Sequence, residues 1–351
     1  MVKRNLRIGA APFLFVALSL LSGCLAPPSL QIESTTWDAP DPAAAFINLG
    51  TSEVFTTNGP LGFIFAHVPS FAISAPSFVP GYLHEALPTV PSWAPSDNIW
   101  APTVRKVGAG YVMFFSAQPL PRGPGSHADC IGAAVAGKAT DTFVPVNTVE
   151  WCDQGSPNVG FLDPQIFVAP NGTPYLLFSR QWTESAYGVL TFHSEIDVVQ
   201  LSANGLSRVG QTMTLLSYGD VSSLLPQPGP RPYLENPALV FDQYNQYDLL
   251  ASLGTWDDPG YETIEVPCLN ITANCLPSYG GVLLSDAGSN SSTRGPGGAS
   301  TAGDGSPDGN WLVWHTGTSG ARHMYAGTTT AFNATTQNAA LSTSSGRNNA
   351  C

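Results

Sequence analysis

The sequence predicts an all-β fold, a five-bladed β-propeller in a single domain. Three observations predict it. One short pattern recurs five times, starting at Asp41, Trp100, Asp163, Glu235 and Gly295. Those starts lie 59, 63, 72 and 60 residues apart, the spacing that a blade of short strands requires. Glycine (35 residues) and proline (31) are abundant, with no long helical periodicity after the first residues, as expected of many strands joined by many turns. At roughly 60 residues per blade, five blades need about 300 residues, and residues 37–332 supply them.

Each repeat has the same parts in the same order. The first reads Asp41-Pro42, a short apolar run, a turn at Gly50, then Val54-Phe55-Thr56-Thr57. The second opens Trp100-Ala101-Pro102, turns at Gly110 and ends in the aromatic-rich strand through Phe114-Phe115-Ser116. The third opens Asp163-Pro164, turns at Gly172 and closes on Phe178-Ser179. The fourth opens Glu235-Asn236-Pro237 and closes on Tyr247 to Ser252. The fifth opens Gly295-Pro296-Gly297-Gly298, turns at Gly309 and closes on Trp311 to His315.

In a propeller the inner strands run the same way around one axis, so their starting ends meet on one face. Residues before proline are expected to be extended there. Asp41, Asp163 and Glu235 are therefore expected to converge in one funnel. Three acids in a cleft are costly unless they share protons or do chemistry. Cleavage of a glycosidic bond needs such a set, one carboxylic acid to protonate the leaving oxygen and one carboxylate to activate water. Alone, an Asp-Pro pair is as readily a turn; the ordered series favours the site. Asp38 competes with Asp41 but lacks the following proline.

The net charge of −12 argues against nucleic acid, which wants a basic face. Residues 1–23 read as an export segment, with Lys3, Arg4 and Arg7 ahead of the apolar run Ile8–Leu21, too short for a membrane span. Leu21-Ser22-Gly23-Cys24 resembles a lipobox that would anchor the chain through a lipid on Cys24; ordinary cleavage and free secretion is the equal alternative. Residues 24–36 read as a linker and 333–351 as a polar tail. Four glycosylation sequons (Asn171, Asn270, Asn290, Asn333) matter only in a eukaryotic host. An exported chain can form disulfides; Cys130 with Cys152 and Cys268 with Cys275 are the candidate pairs, with six unpaired cysteines as the alternative. No phosphate loop, catalytic serine motif or zinc spacing is present.

On these repeats the chain resembles glycoside hydrolase family 43, whose blades open with Asp-Pro, Trp-Ala-Pro, Asp-Pro, Glu-Gly-Pro and Gly-Pro-Gly motifs. All five stand here in order across roughly residues 38–328. The resemblance implies a secreted or surface-anchored inverting hydrolase of pentose-containing polysaccharides. It implies first an α-L-arabinofuranosyl linkage in arabinan or arabinoxylan, and second a β-xylosyl linkage. Asp41 would be the general base, Glu235 the general acid, and Asp163 the residue that orients Glu235 and raises its pKa. Inversion requires the base and acid to stand about 6.5–9.5 Å apart. The rival is a non-catalytic glycan-binding propeller.

Three positions depart from the family: Thr103 where Asp is common, Asn236 in place of Gly, and Gly298 where arabinan-cleaving members carry a metal-holding His. No cofactor is assigned; a central calcium ion stays open, with Gly298 in place of the usual His against it. Trp100 reads equally as core or as a sugar platform, with Trp93 and Phe161 behind it. His315 and Arg322 are candidate substrate contacts; the equal alternative for His315 is a structural role, and Arg322 would reach a sugar hydroxyl or pair with one of the acids, against a surface role of equal weight. Glu53, Glu85, Asp97 and His127 read as surface or loop residues. The protein is expected to be monomeric.

Overall fold

The computed structural model describes residues 30–328, apart from 49, 59–66, 75–76, 95–97, 120–128, 147, 149–150, 153–157, 187–188, 225–232, 242–245, 273–274, 286–293, 302–310 and 318–320. The segments read as export signal and tail, and with them Cys24, lie outside the described residues, as do Asp97 and His127. Strand β1 (Leu30–Glu33) comes first in the chain. Blade one is β2 (Ala43–Asn48), β3 (Thr51–Phe55), β4 (Pro69–Ser74) and β5 (His84–Glu85). Blade two is β6 (Ile99–Val107), β7 (Gly110–Ala117), β8 (Cys130–Ala136) and β9 (Val144–Pro145). Blade three is β10 (Val159–Val168), β11 (Pro174–Ala186), β12 (Val189–Gln200) and β13 (Met213–Ser217). Blade four is β14 (Leu234–Phe241), β15 (Tyr247–Leu253), β16 (Glu262–Cys268) and β17 (Gly281–Leu284). Blade five is β18 (Gly297–Thr301), β19 (Trp311–Thr316) and β20 (His323–Thr328), with β1 on its outer edge.

Every blade is a four-stranded antiparallel sheet, and the inner strands touch in a closed ring, β2 to β6 to β10 to β14 to β18 and back to β2. The fold is thus the five-bladed propeller the repeats predict. Blades stack face to face, so a middle strand is covered on both faces and reads as a continuous apolar run rather than an alternating one. In β7 the run Val112-Met-Phe-Phe115 is buried throughout, as is Leu249-Leu-Ala251 in β15. Five separate cores result, one per blade junction. Phe55 and Met113 belong to the first junction, Phe114 and Phe178 to the second, Leu177 and Leu249 to the third. Leu250 and Trp314 belong to the fourth, and Phe71 and Met324 close the ring. Both candidate disulfides, Cys130–Cys152 and Cys268–Cys275, are formed.

Two expectations are corrected here. The stretch 24–36 is not all linker, because Leu30–Glu33 pairs antiparallel with β20 and completes blade five. Glu53 is not a surface residue; it is 1% exposed, with His84 Nε2 3.2 Å away. Glu85 is half-buried and accepts the backbone N–H groups of His67, Val68 and Leu87, closing a turn.

Candidate active site

The five motifs form one repeated corner. In β6 the residues Ala101-Pro102 lie opposite a single residue of β7, and the same bulge recurs at Asp163-Pro164, Asn236-Pro237 and Gly298-Ala299. Asp41-Pro42 makes the corresponding corner ahead of β2, with Thr57 N–H bonded to the Pro40 carbonyl. The expectation that these pre-proline residues are extended is wrong. Asp41, Ala101, Asp163, Asn236 and Gly298 have φ of 49°, 43°, 51°, 50° and 61°, all left-handed. The bulge outweighs the pre-proline preference, and Asp, Asn and Gly tolerate the conformation best.

Register then explains why the corners are stable. Each left-handed N–H donates to a side chain of the preceding blade: Ala101 to Thr57 Oγ1, Asp163 to Ser116 Oγ, Gly298 to Ser252 Oγ and Asp41 to His315 Nδ1. Thr57, Ser116, Ser252 and His315 hold the same place at the end of each second strand. Blade four departs: Asn236 N–H donates to the Asp163 carboxylate at 3.1 Å, while Ser179, which holds that place in blade three, bonds the Leu234 carbonyl. The corners line an axial cavity of about 30 Å3 that includes Asp41, Thr103, Asp163, Asn236 and Gly298.

Asp41 and Asp163 occupy equivalent positions, and Glu235 sits one residue earlier in its blade. Asp41 Oδ2 accepts the Thr57 hydroxyl at 2.8 Å and lies 3.9 Å from Arg322 Nη1. Glu235 Oε1 accepts the Tyr261 hydroxyl at 2.9 Å, and Gln181 Nε2 approaches Oε2 at 3.5 Å. Burial pushes the Glu235 carboxyl up to about 7; the Tyr261 hydrogen bond opposes this and the charge of Asp41 adds to it. Asp163 is pushed well up, by burial first, then by the charges of Glu235 and Asp41. Asp163 and Glu235 repel one another and titrate as a pair. Among the charges raising Glu235, that of Asp41 is the largest, and Asp163 accepts the backbone N–H of Asn236 beside it. His315 is fully buried, and burial lowers its pKa to about 3. The ring is neutral at ordinary pH and accepts at Nδ1, so its 3.5 Å approach to Asp41 Oδ1 is no ion pair.

The other candidates fall in three places. Trp100 is half-buried and pairs with Ser116 as Glu235 pairs with Ser252. Arg322 lays its guanidinium 4.8 Å from the ring centre of Trp256, which is 45% exposed. Phe161 does not line the axial cavity. It packs edge-on against Phe178 at 5.7 Å, on the wall of a lateral pocket of about 470 Å3 between blades two and three. Asp38 is buried and accepts the Arg322 N–H, a structural role. The residues do not fit the implied metal cage. A Cβ at Gly298 would fall 2.6 Å from His315 Nδ1, so His315 fills the space a side chain at 298 would need. Among the described residues no three His, Cys, Asp or Glu side chains are grouped to hold a metal, and no step below uses one. Sequence reading missed Tyr261, Gln181, Thr57 and Trp256. Only Thr57 had a signal, its alignment with Ser116, Ser179, Ser252 and His315 at the repeat ends.

A closed ring of five blades with three carboxylates at its axis, one half-buried and raised to about neutral pH, is the layout of a propeller glycosidase. The chain belongs to the glycosyl hydrolases family 43, whose model matches residues 86–339. That match begins after blade one, so Asp41 rests on the fold alone. The chain is similar in fold to a thermostable family-43 glycoside hydrolase at 19% identity, covering 85% of this chain and 89% of the other with a TM-score of 0.62. It is also similar to an endo-arabinase from Bacteroides thetaiotaomicron VPI-5482, at 15% identity, 87% and 96% coverage and a TM-score of 0.62. An α-L-arabinofuranosidase from Lactobacillus brevis gives 14% identity, 85% and 94% coverage and a TM-score of 0.60. No curated protein sequence matches the chain.

Proposed function

We propose that this glycoside hydrolase inverts, and that it cleaves α-L-arabinofuranosyl linkages in a pentose polysaccharide. The reading rests on one observation above all: a half-buried carboxyl raised to about 7, Glu235, shares an axis with Asp41, which is held by a hydroxyl and an arginine. Glu235 gives its proton to the leaving oxygen as the glycosidic bond breaks. Asp41 takes a proton from the water that attacks the opposite face of the sugar. Thr57 donates its hydroxyl to the Asp41 carboxylate and Arg322 lies 3.9 Å from it, which hold the carboxylate in place for that task. Asp163 fixes the backbone at Asn236 and so the direction of Glu235. Arabinan-type substrates are supported by the similar endo-arabinase and arabinofuranosidase; a β-xylosyl linkage ranks second. Two disulfides and the export-like first residues support a secreted or surface-anchored enzyme.

The test is sugar release from debranched arabinan, arabinoxylan, xylo-oligosaccharides and the two aryl pentosides. Wild-type protein is expected to release arabinose with inverted configuration, read by NMR. Glu235→Gln is expected to lose at least about a hundredfold on the polysaccharides. Retained anomeric configuration, or full activity of that variant, overturns the assignment.

A further inference from the structure

The blade-four loop after β15 brings Tyr261 against Glu235, although no motif marks it. Tyr261 is fully buried. A phenol has one hydrogen to give and two lone pairs to receive. Asn236 Nδ2 donates to the phenol oxygen at 3.1 Å. Ser252, whose Oγ already accepts the Gly298 N–H, is the second partner of that oxygen. The single phenol hydrogen is thereby directed to Glu235 Oε1 at 2.9 Å. Room for the ring comes from blade five: a Cβ at Gly297 would stand 1.9 Å from Tyr261 Cε1. The His315 ring stacks with the Tyr261 ring, their centroids 5.9 Å apart and their planes at 15°.

We infer that Tyr261, oriented by Asn236, is a positioning residue that reserves Oε1 of Glu235 as an acceptor and leaves its transferable proton on Oε2. The inference rests on the acid role proposed for Glu235. Among the described residues, the hydrogen bond at Oε2 is the long 3.5 Å approach of Gln181 Nε2, a weak contact at that length, so its proton is free to leave. Burial, then the charge of Glu235, pushes the Tyr261 hydroxyl well above its usual range, so it stays a donor throughout the working pH. Blade four is the one blade whose left-handed residue carries a carboxamide, and that carboxamide is spent on Tyr261. A donated hydrogen bond also favours ionised Glu235. The phenol thus tempers the acid so that it can release a proton near neutral pH instead of holding it.

The test is the titration of Glu235 by carboxyl carbon NMR in protein labelled at glutamate, with Glu235→Gln assigning the signal. Tyr261→Phe is expected to raise the midpoint by about 0.5–1 pH unit. Asn236→Gly, which suits the left-handed corner, is expected to raise it by less and guards against a Phe variant that does not fold. Hydrolysis gives a second readout. Tyr261→Phe should lose about tenfold on arabino-oligosaccharides, whose leaving group needs the acid, and under about twofold on an aryl arabinoside, whose leaving group does not. A midpoint that stays or falls in both variants, or an equal loss on both substrates, overturns the inference. Because the titration does not depend on turnover, wild-type protein that releases no sugar would sink the glycosidase mechanism while the midpoint still decides the Tyr261 contact.

Discussion

Burial holds the Glu235 carboxyl up at about 7, against an ordinary value of 4.5. That elevation serves proton donation and costs stability, and the sign follows from linkage. Below the ordinary value the folded and unfolded chains are both protonated there, and nothing is lost. As pH rises, the unfolded chain releases the proton first, so stability falls until the folded group titrates near 7, and beyond that the loss is complete. Glu235→Gln removes the ionisation while keeping the shape. It is expected to match the wild type in thermal stability at pH 4.5 and to exceed it at pH 8 by on the order of 1–3 kcal/mol. Differential scanning calorimetry at the two pH values checks this; an equal difference at both would mean that the carboxyl is well solvated. Asp41, Asp163 and Glu235 were legible in the sequence because each sits by a proline at a repeat start. Their partners were not. Tyr261 and Gln181 reach Glu235 through register and packing that no local motif encodes, whereas Arg322 was already a candidate.

The element that builds the site is the left-handed corner, and it occurs in all five blades although two of them carry no acid. Its cost falls unevenly. Asp, Asn and Gly are the residues best suited to that conformation, whereas the Ala101 side chain gains nothing from it. Ala101→Gly is therefore expected to stabilise the protein by about 0.5–1 kcal/mol, net of the extra freedom glycine gives the unfolded chain. Urea unfolding of the pair measures it, and a lower midpoint would show that the corner is unstrained in blade two. The repeats were legible as strand–turn–strand units because proline, glycine and the apolar runs punctuate them. The corner conformation was not, since the usual preference before proline points to an extended residue. Only the bulge, two residues against one on the neighbouring strand, reverses that preference. The same register accounts for Gly297 and Gly298: the rings of Tyr261 and His315 occupy the space their side chains would need.

The ring closes where β1 pairs with β20, and the closing seam leads on to Asp41 and Arg322. β1 covers the outer edge of β20, from Leu30 opposite Thr328 to Glu33 opposite Tyr325. The next residues stay on the same partner: Ser34 and Thr35 N–H groups reach the Met324 carbonyl, and Ala39 N–H reaches the Arg322 carbonyl. Asp38 then accepts the Arg322 N–H at 2.7 Å. The seam thus fixes together the approach to Asp41 and the backbone of Arg322, whose side chains lie 3.9 Å apart. The sequence showed five repeats but not this strand, because a lone closing strand has no repeat to align with. Removing residues 1–33 should uncover the β20 edge and cost on the order of 2–4 kcal/mol, at about 1 kcal/mol per backbone hydrogen bond lost. It should also slow turnover more than it weakens substrate binding, because Asp41 and Arg322 lose a shared anchor while the acid side, on blades three and four, keeps its packing. Urea unfolding and a kcat-against-KM comparison read the two effects separately. An unchanged unfolding midpoint would mean that β1 adds no closure, and a rise in KM alone would place the seam at the sugar-binding rim instead of at the base.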